Sequence, residues 1–553
     1  MKKMWMRVTA VATAAVMLAG CGSGGSGGAG ASGNTGGRTS QTAAAQSGSS
    51  GGGQQTGEPS SGEVRTYTMF MRGTFIDWIS ELKWYDEAEK RLGIHVEYVK
   101  GPDVQSDAYS EVDQRLISGT LTDCTFVKQA QANVYGSQGA FRDLAPLIRE
   151  YAPNIQKYLD ENPEYAALVT NEDGSIYGLL NQTPKLADFV FYRADHFEKA
   201  GVDPSKVQTV ADFTQAMKTL KTYYGADNPN YYPLCGRDMF FRFAPWFGCS
   251  NNISETESNG LYYGSNWGAK AGYDIYADNF YNMMEVLKGW YDDGLVNPEW
   301  VAGSFSEGDW EAAMLNGDCT ISFDFLTRPQ WFLDNGGPDI DPDYTMAVLD
   351  NLKDENGNIM KYQTDIPYNE NRVTVINAAS SDETARTIIE FIDYFWGEEG
   401  QTLCSWGVEG ESYQVVDGKK EYIVDYATEE GKPAGEKKWS FLNDRYTVCK
   451  PVDQEAFYAW NGDVVKEAAA RLYDDDHLMK AYNIKYTDDQ LKEMDTLVAS
   501  LGDSITSVLT SFVTGKTELT RENWQAFLDE MTQKGYTRAE EIQLEAFRAT
   551  YGK

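Results

Sequence analysis

A stretch of small and polar residues separates the start of this chain from everything in it that can fold. Residues 22–63 are almost all Gly, Ser, Ala, Thr and Gln, and only Arg38, Glu58 and Glu63 carry charge. Such a composition buries no apolar core, so we expect a flexible coil with a root-mean-square reach of about 35 Å. The folded part of the 553-residue chain is therefore expected to begin at residue 64.

The residues before this stretch have the pattern of an export signal. Basic residues stand at the start, a short and mostly small apolar run follows, and Cys21 comes directly after it. The run is too short for a membrane-spanning helix, which needs about 20 apolar residues. We therefore predict a signal peptide over residues 1–20 and a flexible linker over residues 21–63.

The end of the apolar run, LAGC at residues 18–21, resembles the bacterial lipobox. In that pattern the cysteine thiol is acylated and the chain is cut just before it. The resemblance implies that Cys21 is the lipid attachment site, carrying palmitate-type chains that hold the protein on a membrane. The expected location is the outer face of the bacterial cytoplasmic membrane. The alternative is an ordinary secreted protein with a chance cysteine.

The charge balance excludes one large class of partners. The chain has 48 basic and 83 acidic residues, a formal net charge of −35 at pH 7. Because the phosphates of nucleic acid would be repelled, we predict no nucleic-acid partner. Aromatic side chains make up 13% of the residues, and aromatic faces are what proteins offer to sugar rings, so this excess hints at a carbohydrate ligand.

Cysteine and histidine show no spacing typical of a metal or redox site, so we predict no metal and no cofactor. The three histidines are far apart, and DENGN (354–358) and DDDH (474–477) are better explained as a hairpin turn and a solvated helix face. The sequence cannot choose among the disulfide pairings of the later cysteines, and we favour buried thiols for most. These cysteines are Cys124, Cys235, Cys249, Cys319, Cys404 and Cys449.

The first folded residues alternate between strand and helix patterns. Strands are predicted over residues 66–71, 94–99 and from 125, and helices over residues 78–92 and 106–118. This order is typical of parallel βαβ units. Ligands bind such sheets outside the carboxyl ends of the strands, so topology alone predicts that residues 72–78 and Asp123 lie near a binding edge.

Several later stretches together resemble a known family. They are GAFRDLAPLIREYAPNIQKYLDENPE (139–164), DGSIYGLLN (173–181), FYRADHFEKAGVDP (191–204), INAASSDETARTIIEFIDYFWGEEGQ (376–401), SWGVEGESY (405–413) and the terminal residues 512–552. They resemble the family 1 extracellular solute-binding lipoproteins of bacterial ABC importers, in the long, LipO-like branch associated with oligosaccharide uptake. The resemblance runs over nearly the whole folded chain.

The resemblance implies an α/β fold of two lobes joined by a hinge, with the ligand held in the cleft between them. Lobe 1 is expected over residues 64–182 and 366–442, and lobe 2 over residues 183–365 and 443–553. The implied partners are an oligosaccharide, expected to be neutral, and the membrane subunits of an ABC permease that recognise the closed form. We expect a monomer that needs no covalent chemistry.

A sugar site needs ring faces for stacking and planar polar groups that make two hydrogen bonds to hydroxyls. Five clusters offer both types, and we predict that at least two of them line the cleft. In the family, the stretch that matches residues 322–332 lies at the cleft. The alternative is core packing for each aromatic side chain and a solvated surface for each carboxylate. The candidates are Arg72, Phe75, Asp77, Trp78 and Asp123; Arg237, Trp246 and Phe247; Asp324, Arg328 and Trp331; Trp406, Glu409 and Glu411; and Tyr458 and Trp460.

Three other functions are compatible with an anchored, acidic and aromatic-rich chain. A surface glycoside hydrolase needs a carboxyl pair about 5–10 Å apart, and 83 acidic residues leave room for one. An adhesin would grip polysaccharide without feeding a transporter. The same fold could also bind a peptide or another small solute. The family stretches argue against the enzyme, because the relatives bind their ligands and do not cleave them.

Overall fold

The computed structural model describes residues 64–79, 82–237, 240–249, 254–256, 260–262, 265–267, 270–272, 275–364, 366–424 and 448–552. The predicted signal peptide, Cys21 and the linker lie outside these residues. Their assignment stays a prediction.

The helices and strands are numbered here in chain order. Up to residue 182 they are β1 Arg65–Arg72, α1 Gly73–Ile79, α2 Lys83–Leu92, β2 Ile94–Gly101, α3 Gln105–Ser118, β3 Cys124–Val127, α4 Gln129–Ser137, α5 Ala145–Tyr151, α6 Pro153–Glu161, α7 Pro163–Val169 and β4 Leu179–Gln182. From there to residue 348 they are β5 Asp188–Arg193, α8 Ala194–Ala200, α9 Val210–Tyr224, β6 Ser254–Thr256, β7 Gly260–Tyr262, β8 Ser265–Trp267, β9 Lys270–Gly272, α10 Asp278–Asp292, α11 Pro298–Val301, α12 Glu307–Asn316, β10 Ile321–Phe325, α13 Arg328–Asp334, α14 Gly337–Ile340 and β11 Met346–Val348. The last are β12 Tyr362–Gln363, β13 Tyr368–Ile376, α15 Asp382–Tyr394, α16 Glu398–Ser405, β14 Tyr413–Val416, β15 Lys419–Tyr422, α17 Gln454–Trp460, α18 Asp463–Leu472, β16 Leu478–Met479, α19 Asp488–Val513, α20 Arg521–Gln533 and α21 Tyr536–Tyr551. Short 3-10 helices cover Pro204–Lys206 and Phe240–Phe247.

The sheet of lobe 1 has five strands in the order β2-β1-β3-β13-β4. Strands β1 and β2 pair in parallel along their whole length, as the βαβ pattern predicts. Strand β13 arrives from far along the chain and runs antiparallel to both β3 and β4. The carboxyl ends of β1 and β3 therefore lie at the same edge as the amino end of β13.

One part of the predicted order is wrong. The sequence pattern predicted a single helix over residues 78–92 as the first helix after β1. The structure has two helices, α1 and α2, on either side of residues 80–82. Phe75 and Ile79 are both buried and lie four residues apart, so they share one face of α1 against the sheet.

The sheet of lobe 2 has three antiparallel strands in the order β10-β5-β11. A large apolar cluster surrounds it, with many fully buried aromatic rings such as Trp290, Trp300 and Trp310. Helix α19 is long and apolar enough by composition to cross a membrane, but Leu501, Ile505 and Leu509 are fully buried. That position is the one expected for a core helix of this lobe.

A disulfide joins Cys235 to Cys319 in lobe 2, across 84 residues of sequence. It lies beside β10, where the Cys235 amide also donates to the carbonyl of Ile321 at 3.1 Å. The other cysteines that the structure describes keep buried thiols, as expected for most of them.

Several crossover segments join the two lobes, and side-chain hydrogen bonds hold them side by side. Asn181 accepts from the amide of Lys450 at 3.0 Å, and Gln182 accepts from the amide of Val452 at 2.8 Å. Asn483 accepts from the Tyr368 amide at 2.9 Å and donates to the Tyr368 carbonyl at 2.7 Å. These contacts tie the strand ends of lobe 1 to the segments that lead into lobe 2.

Glu370 lies beside this junction, and we expect it to make the folded state less stable as pH rises. Burial raises the pKa of Glu370 from 4.5 to about 7, although the hydrogen bond from Asn483 acts to lower that pKa. Because the folded pKa exceeds the unfolded one, the folded state binds the proton more tightly, and the free energy of unfolding falls between about pH 4.5 and 7. Glu370→Gln should therefore raise that free energy by about 2–3 kcal/mol at pH 8 and leave it unchanged near pH 4.5.

Urea unfolding at the two pH values tests this expectation. Glu355→Gln is the matched control, because Glu355 is an exposed carboxyl on a hairpin of lobe 2. An equal gain at both pH values for Glu370→Gln would contradict the assignment, since it would show that the gain does not depend on ionisation.

Candidate functional site

A cavity of about 210 Å³ opens at the edge of the lobe 1 sheet where β1 and β3 end and β13 begins. Strand β4 also ends at this edge, at Gln182, before the chain crosses to lobe 2, so we call it the crossover edge. We call the cavity the lobe 1 pocket. Its walls come from the ends of β1, β3 and β13 and from the facing sides of α1 and α3. The described residues that line it are Phe70, Met71, Arg72, Phe75, Ala108, Tyr109, Val112, Phe126, Asn369 and Arg372.

Two glycines beside the pocket are closely surrounded by side chains. A Cβ atom on Gly73 would stand 2.3 Å from the Asp103 carboxylate and 2.5 Å from the Lys100 side chain. A Cβ atom on Gly101 would stand 2.4 Å from the ring of Phe70. A side chain at Gly101 would have to displace the buried ring of Phe70, whereas one at Gly73 would have to displace the ends of two flexible side chains.

Arginine and aromatic side chains meet inside the lobe 1 pocket. The Cζ atoms of Arg72 and Arg372 each lie 4.7 Å from the ring centroid of Phe75, and that of Arg372 lies 4.0 Å from the ring centroid of Phe126. Tyr109 is held in place by a hydrogen bond from its hydroxyl to the carbonyl of Asn371. This surface can offer charge-assisted hydrogen bonds and ring faces to a ligand.

A second polar group lies at the crossover edge of lobe 2, and we call it the lobe 2 cluster. Asp324 is fully buried near the end of β10, and Arg237 donates to it through Nε at 2.6 Å and through a terminal nitrogen at 3.2 Å. Arg237 also pairs with Glu307 at 3.2 Å. Arg328 pairs with Glu307 and, at 3.5 Å, with Glu311.

Aromatic rings surround the lobe 2 cluster. The Arg328 guanidinium lies 5.4 Å from the ring centroid of Trp310 and 5.5 Å from that of Trp331. Burial and the neighbouring Glu307 together raise the pKa of Glu311. Because Phe325 at the end of β10 pairs with Asp188, which follows a crossover, the lobe 2 cluster lies on the hinge side of its sheet.

Helix α17 lies at the junction of the lobes. The Tyr458 hydroxyl donates to the carbonyl of Lys185 in a crossover at 2.8 Å, and burial raises the pKa of that hydroxyl. Tyr458 packs on the core of lobe 2, whereas Trp460 packs on the core of lobe 1. Gly462 follows, with a φ of +88° and no room for a side chain beside Gln330 of α13.

Residues 83–408 match the family model described as bacterial extracellular solute-binding protein. That match covers more than half of the chain. The chain belongs to this family. The family that the sequence resemblance indicated is therefore confirmed.

Curated relatives of this solute-binding protein are distant. Lipoprotein LipO of Bacillus subtilis strain 168 is 21% identical over 350 residues, which cover 60% of this chain and 64% of LipO. The fructooligosaccharide ABC transporter substrate-binding protein FusA of Streptococcus pneumoniae serotype 4 is 25% identical over 251 residues, 41% of this chain and 43% of FusA. The chain thus spans less than two thirds of the length of either relative.

Solved structures match the solute-binding protein over most of its length. The alginate-binding protein AlgQ2 has a TM-score of 0.64 at 16% identity and covers 88% of this chain and 98% of its own. FusA of Streptococcus pneumoniae in complex with kestose has a TM-score of 0.60 at 16% identity, with coverages of 87% and 99%. At such identities the likeness shows the fold, and it confirms the predicted two-lobed α/β architecture.

The predicted site residues of the solute-binding protein separate into two groups. One group lies at the crossover edges or the junction of the lobes. Its members are Arg72 and Phe75 in the lobe 1 pocket, Arg237, Asp324, Arg328 and Trp331 in the lobe 2 cluster, and Tyr458 and Trp460 on α17. Asp77 and Trp78 belong to α1 beside the pocket, but their side chains lie outside the described part of the structure.

The other group lies elsewhere. Trp246 is 2% exposed and packs in the core of lobe 2, with Phe247 half-buried beside it. Trp406 is also 2% exposed, and its Nε1 donates to Asp453 at 2.8 Å. Glu409 and Glu411 are exposed on the following turn, where Glu411 pairs with Lys83. Core packing and a solvated surface were the alternatives to cleft lining. Trp246 and Trp406 lie in the first of these positions and Glu409 and Glu411 in the second, while Phe247 is intermediate.

Asp123 lies at the opposite edge from the one that topology predicted. It precedes β3, so it stands at the amino end of that strand rather than the carboxyl end. Burial would raise the pKa of Asp123, but hydrogen bonds from Thr68 and Ser380 outweigh it and hold the pKa below its ordinary value. The carboxylate thus fastens β1 to the loop after β13.

Sequence reasoning missed several residues of the lobe 1 pocket. Phe126 lies in a strand that the sequence pattern predicted. Because ligands bind outside the carboxyl ends of such strands, Phe126 near the end of β3 is a better candidate than Asp123 before its start. Arg372 and Asn369 come from β13, whose approach to the pocket has no local sequence signal. Tyr109 lies on a helix that was recognised but whose inward face was not assigned.

The described part of the chain holds no group of three or more His, Cys, Asp or Glu side chains that could bind a metal ion. The DENGN stretch forms a hairpin turn, in which Asp354 accepts from the amides of Asn356 and Asn358 at 2.8 Å.

Proposed function

We propose that this protein is a lipid-anchored substrate-binding protein of an ABC importer at the bacterial cell surface. It captures an oligosaccharide in the cleft between its lobes and delivers it to the permease subunits. It acts as a monomer and does not cleave its ligand. LipO carries the name of a lipoprotein and FusA that of a fructooligosaccharide binder, which supports both parts of the proposal.

One observation carries the proposal furthest. Guanidinium groups stacked on aromatic rings stand at the crossover edge of both lobes, in the lobe 1 pocket and in the lobe 2 cluster. Planar donors next to ring faces are the combination that recognises sugar hydroxyls and sugar faces together. Its presence on both lobes suits a ligand that is gripped from two sides.

The junction of the lobes suggests how the grip closes. Crossovers lie side by side and are joined by hydrogen bonds of short polar side chains, so a few backbone angles can absorb a rotation of the lobes. A ligand that contacts both lobes favours the closed form by its extra contacts there. The permease then recognises the closed form.

The anchor rests on the sequence before residue 64. The LAGC pattern at residues 18–21 supports lipid attachment at Cys21, and the glycine-rich residues that follow support a tether with a reach of about 35 Å. Such a tether lets the lobes reach a permease in the same membrane.

We expect an oligosaccharide to raise the melting temperature of the purified chain. A ligand at a hundredfold excess over its dissociation constant adds about 2.7 kcal/mol to the free energy of unfolding. The measurement is a thermal shift screen with mono- and oligosaccharides, with amino acids and short peptides included. The sugar is then recovered and analysed for cleavage.

A pair of variants locates the binding site. Trp331→Ala should weaken the shift, because Trp331 is a ring beside the lobe 2 cluster. Tyr223→Ala is the matched control, since Tyr223 is 52% exposed at the end of α9. Recovery of cleaved sugar would establish an enzyme instead, and a shift with peptides alone would overturn the carbohydrate assignment.

A further inference from the structure

The lobe 1 pocket has an apolar wall, which β1 and α3 build together. Ala108 and Val112 lie four residues apart, so they share one face of α3, and both are buried. Phe70 and Met71 near the end of β1 are 3% and 1% exposed and line the same pocket. None of these four side chains carries a nitrogen or oxygen atom that could bond to a sugar hydroxyl.

This wall is a poor match for a plain hexose. Such a ring carries a hydroxyl on almost every carbon, and a hydroxyl that leaves water for an apolar surface loses hydrogen bonds that it does not regain. A methyl group gains free energy on the same surface, because its apolar area is removed from water. The wall therefore favours a part of a ligand that ends in a methyl group.

The polar side of the same pocket comes mainly from β13. Oδ1 of Asn369 accepts from the amide of Asn371 at 3.0 Å, so the side-chain nitrogen of Asn369 is the atom that can donate to a ligand. Arg372, three residues further on, also lines the pocket, with its Cζ atom 4.0 Å from the ring centroid of Phe126. A guanidinium has five N–H donors, so an arginine that already has partners can still donate. Planar donors of this kind suit a carbonyl oxygen.

We propose that the lobe 1 pocket binds the acetamido group of an N-acetylated hexosamine, with its methyl against Ala108 and Val112 and its carbonyl oxygen accepting from Asn369. This inference rests on the proposed function and names its substrate class as a neutral oligosaccharide that contains such a residue. The small side chain of Ala108 leaves space for the methyl group. The pocket, at about 210 Å³, has room for one substituted ring.

The lobe 2 cluster suits the rest of such a ligand. The carboxylates of Glu307 and Glu311 and the guanidinium of Arg328 stand there beside the rings of Trp310 and Trp331. Sugar hydroxyls meet polar partners at this cluster, and a sugar ring can stack on an aromatic face. An oligosaccharide with one acetylated and one hydroxylated residue would therefore meet matching groups in both lobes.

The test compares sugars that differ in this substituent. Isothermal titration of the purified chain uses N-acetylchitotriose beside cellotriose, and N-acetyllactosamine beside lactose. Within each pair the linkage is the same, and acetamido groups replace hydroxyls. At least one acetylated sugar should bind on the order of tenfold more tightly than its partner. Its N-formyl analogue, which keeps the amide and lacks the methyl, should lose most of that advantage.

Variants then assign the preference to the lobe 1 pocket. Ala108→Leu should weaken binding of the acetylated sugar on the order of tenfold by filling the space of the methyl, with the hydroxylated partner almost unaffected. Val112→Thr should cause a smaller loss, because it places a hydroxyl of similar size in the wall. Asn369→Asp should also weaken binding of the acetylated sugar, since it keeps the acceptor for Asn371 and removes the donor. Ala526→Leu is the matched control, because Ala526 is exposed on α20 of lobe 2. Circular dichroism verifies that each variant is folded.

The outcomes separate this inference from the proposed function. If other sugars bind and no acetylated sugar binds more tightly than its hydroxylated partner, the acetamido group is overturned and the importer proposal stands. An N-formyl analogue that binds as tightly as the acetylated sugar would overturn the role of the apolar wall. An acetyl preference that persists in the Ala108, Val112 and Asn369 variants would overturn the assignment to this pocket. Binding of peptides with no sugar of either kind would overturn both proposals.

Discussion

Removal of the Cys235–Cys319 disulfide is expected to lower the free energy of unfolding by about 4 kcal/mol. The bond joins residues 84 positions apart, so it removes much of the conformational freedom that this part of lobe 2 gains on unfolding. The measurement is urea unfolding of the Cys235→Ala/Cys319→Ala double variant, followed by tryptophan fluorescence. Lobe 2 holds several buried tryptophans that report on it.

Cys249→Ala is the matched control for the disulfide variant. Cys249 is also buried in lobe 2 but lies outside the disulfide, so its loss should cost about 1 kcal/mol. A loss in the double variant no greater than that of the control would contradict the prediction. It would mean that hydrogen bonds, such as the one from the Cys235 amide to the Ile321 carbonyl, constrain this segment even when the disulfide is absent.

The disulfide also bears on function through its position. Arg237 of the lobe 2 cluster comes two residues after Cys235, and Gly236 between them packs against the ring of Trp300 with no room for a Cβ atom. Opening the bond frees the start of this segment. Ligand affinity should therefore fall along with stability, which a titration of the same double variant can measure.

Local periodicity was enough to predict the first strands of lobe 1 and most of helices α2 and α3. The predicted strands at residues 66–71 and 94–99 correspond to β1 Arg65–Arg72 and β2 Ile94–Gly101. Alternation of apolar and polar residues decides such elements, because one face of the strand meets the core. The short helix α1 was missed, since its seven residues carry too few turns to show a period.

The candidate site depends on contacts that no local pattern reveals. Val373 of β13 pairs with Val127 of β3, and that pairing brings Arg372 to the lobe 1 pocket from more than 240 residues away in sequence. The direction of β13 decides which edge its residues reach.

The burial of individual tryptophans also cannot be predicted from local sequence. Trp246 and Trp331 have similar aromatic neighbours in sequence, yet Trp246 lies in the core and Trp331 is partly exposed.

Replacement of Asp324 by alanine is expected to cost about 3–5 kcal/mol of the free energy of unfolding and to weaken ligand binding. The Asp324 side chain is fully buried and that of Arg237 is 14% exposed, so the variant leaves a guanidinium with little water and without its closest carboxylate. Arg237 is then expected to turn toward solvent or toward Glu307. Urea unfolding measures the first effect, and titration with the sugar found by thermal shift measures the second.

Two further variants decide what the Asp324–Arg237 pair contributes. Glu307→Ala should cost less than about 1 kcal/mol, because the Glu307 side chain is 51% exposed and its ion pairs are screened by water. A cost for Asp324→Ala no larger than this would contradict the role of burial. The double variant Asp324→Leu/Arg237→Met should recover most of the stability, since a buried ion pair adds little over apolar residues of similar size. The double variant also removes Arg237 from the crossover edge of lobe 2, so its ligand affinity should stay low. Recovered stability together with low affinity would show that the pair serves binding rather than folding.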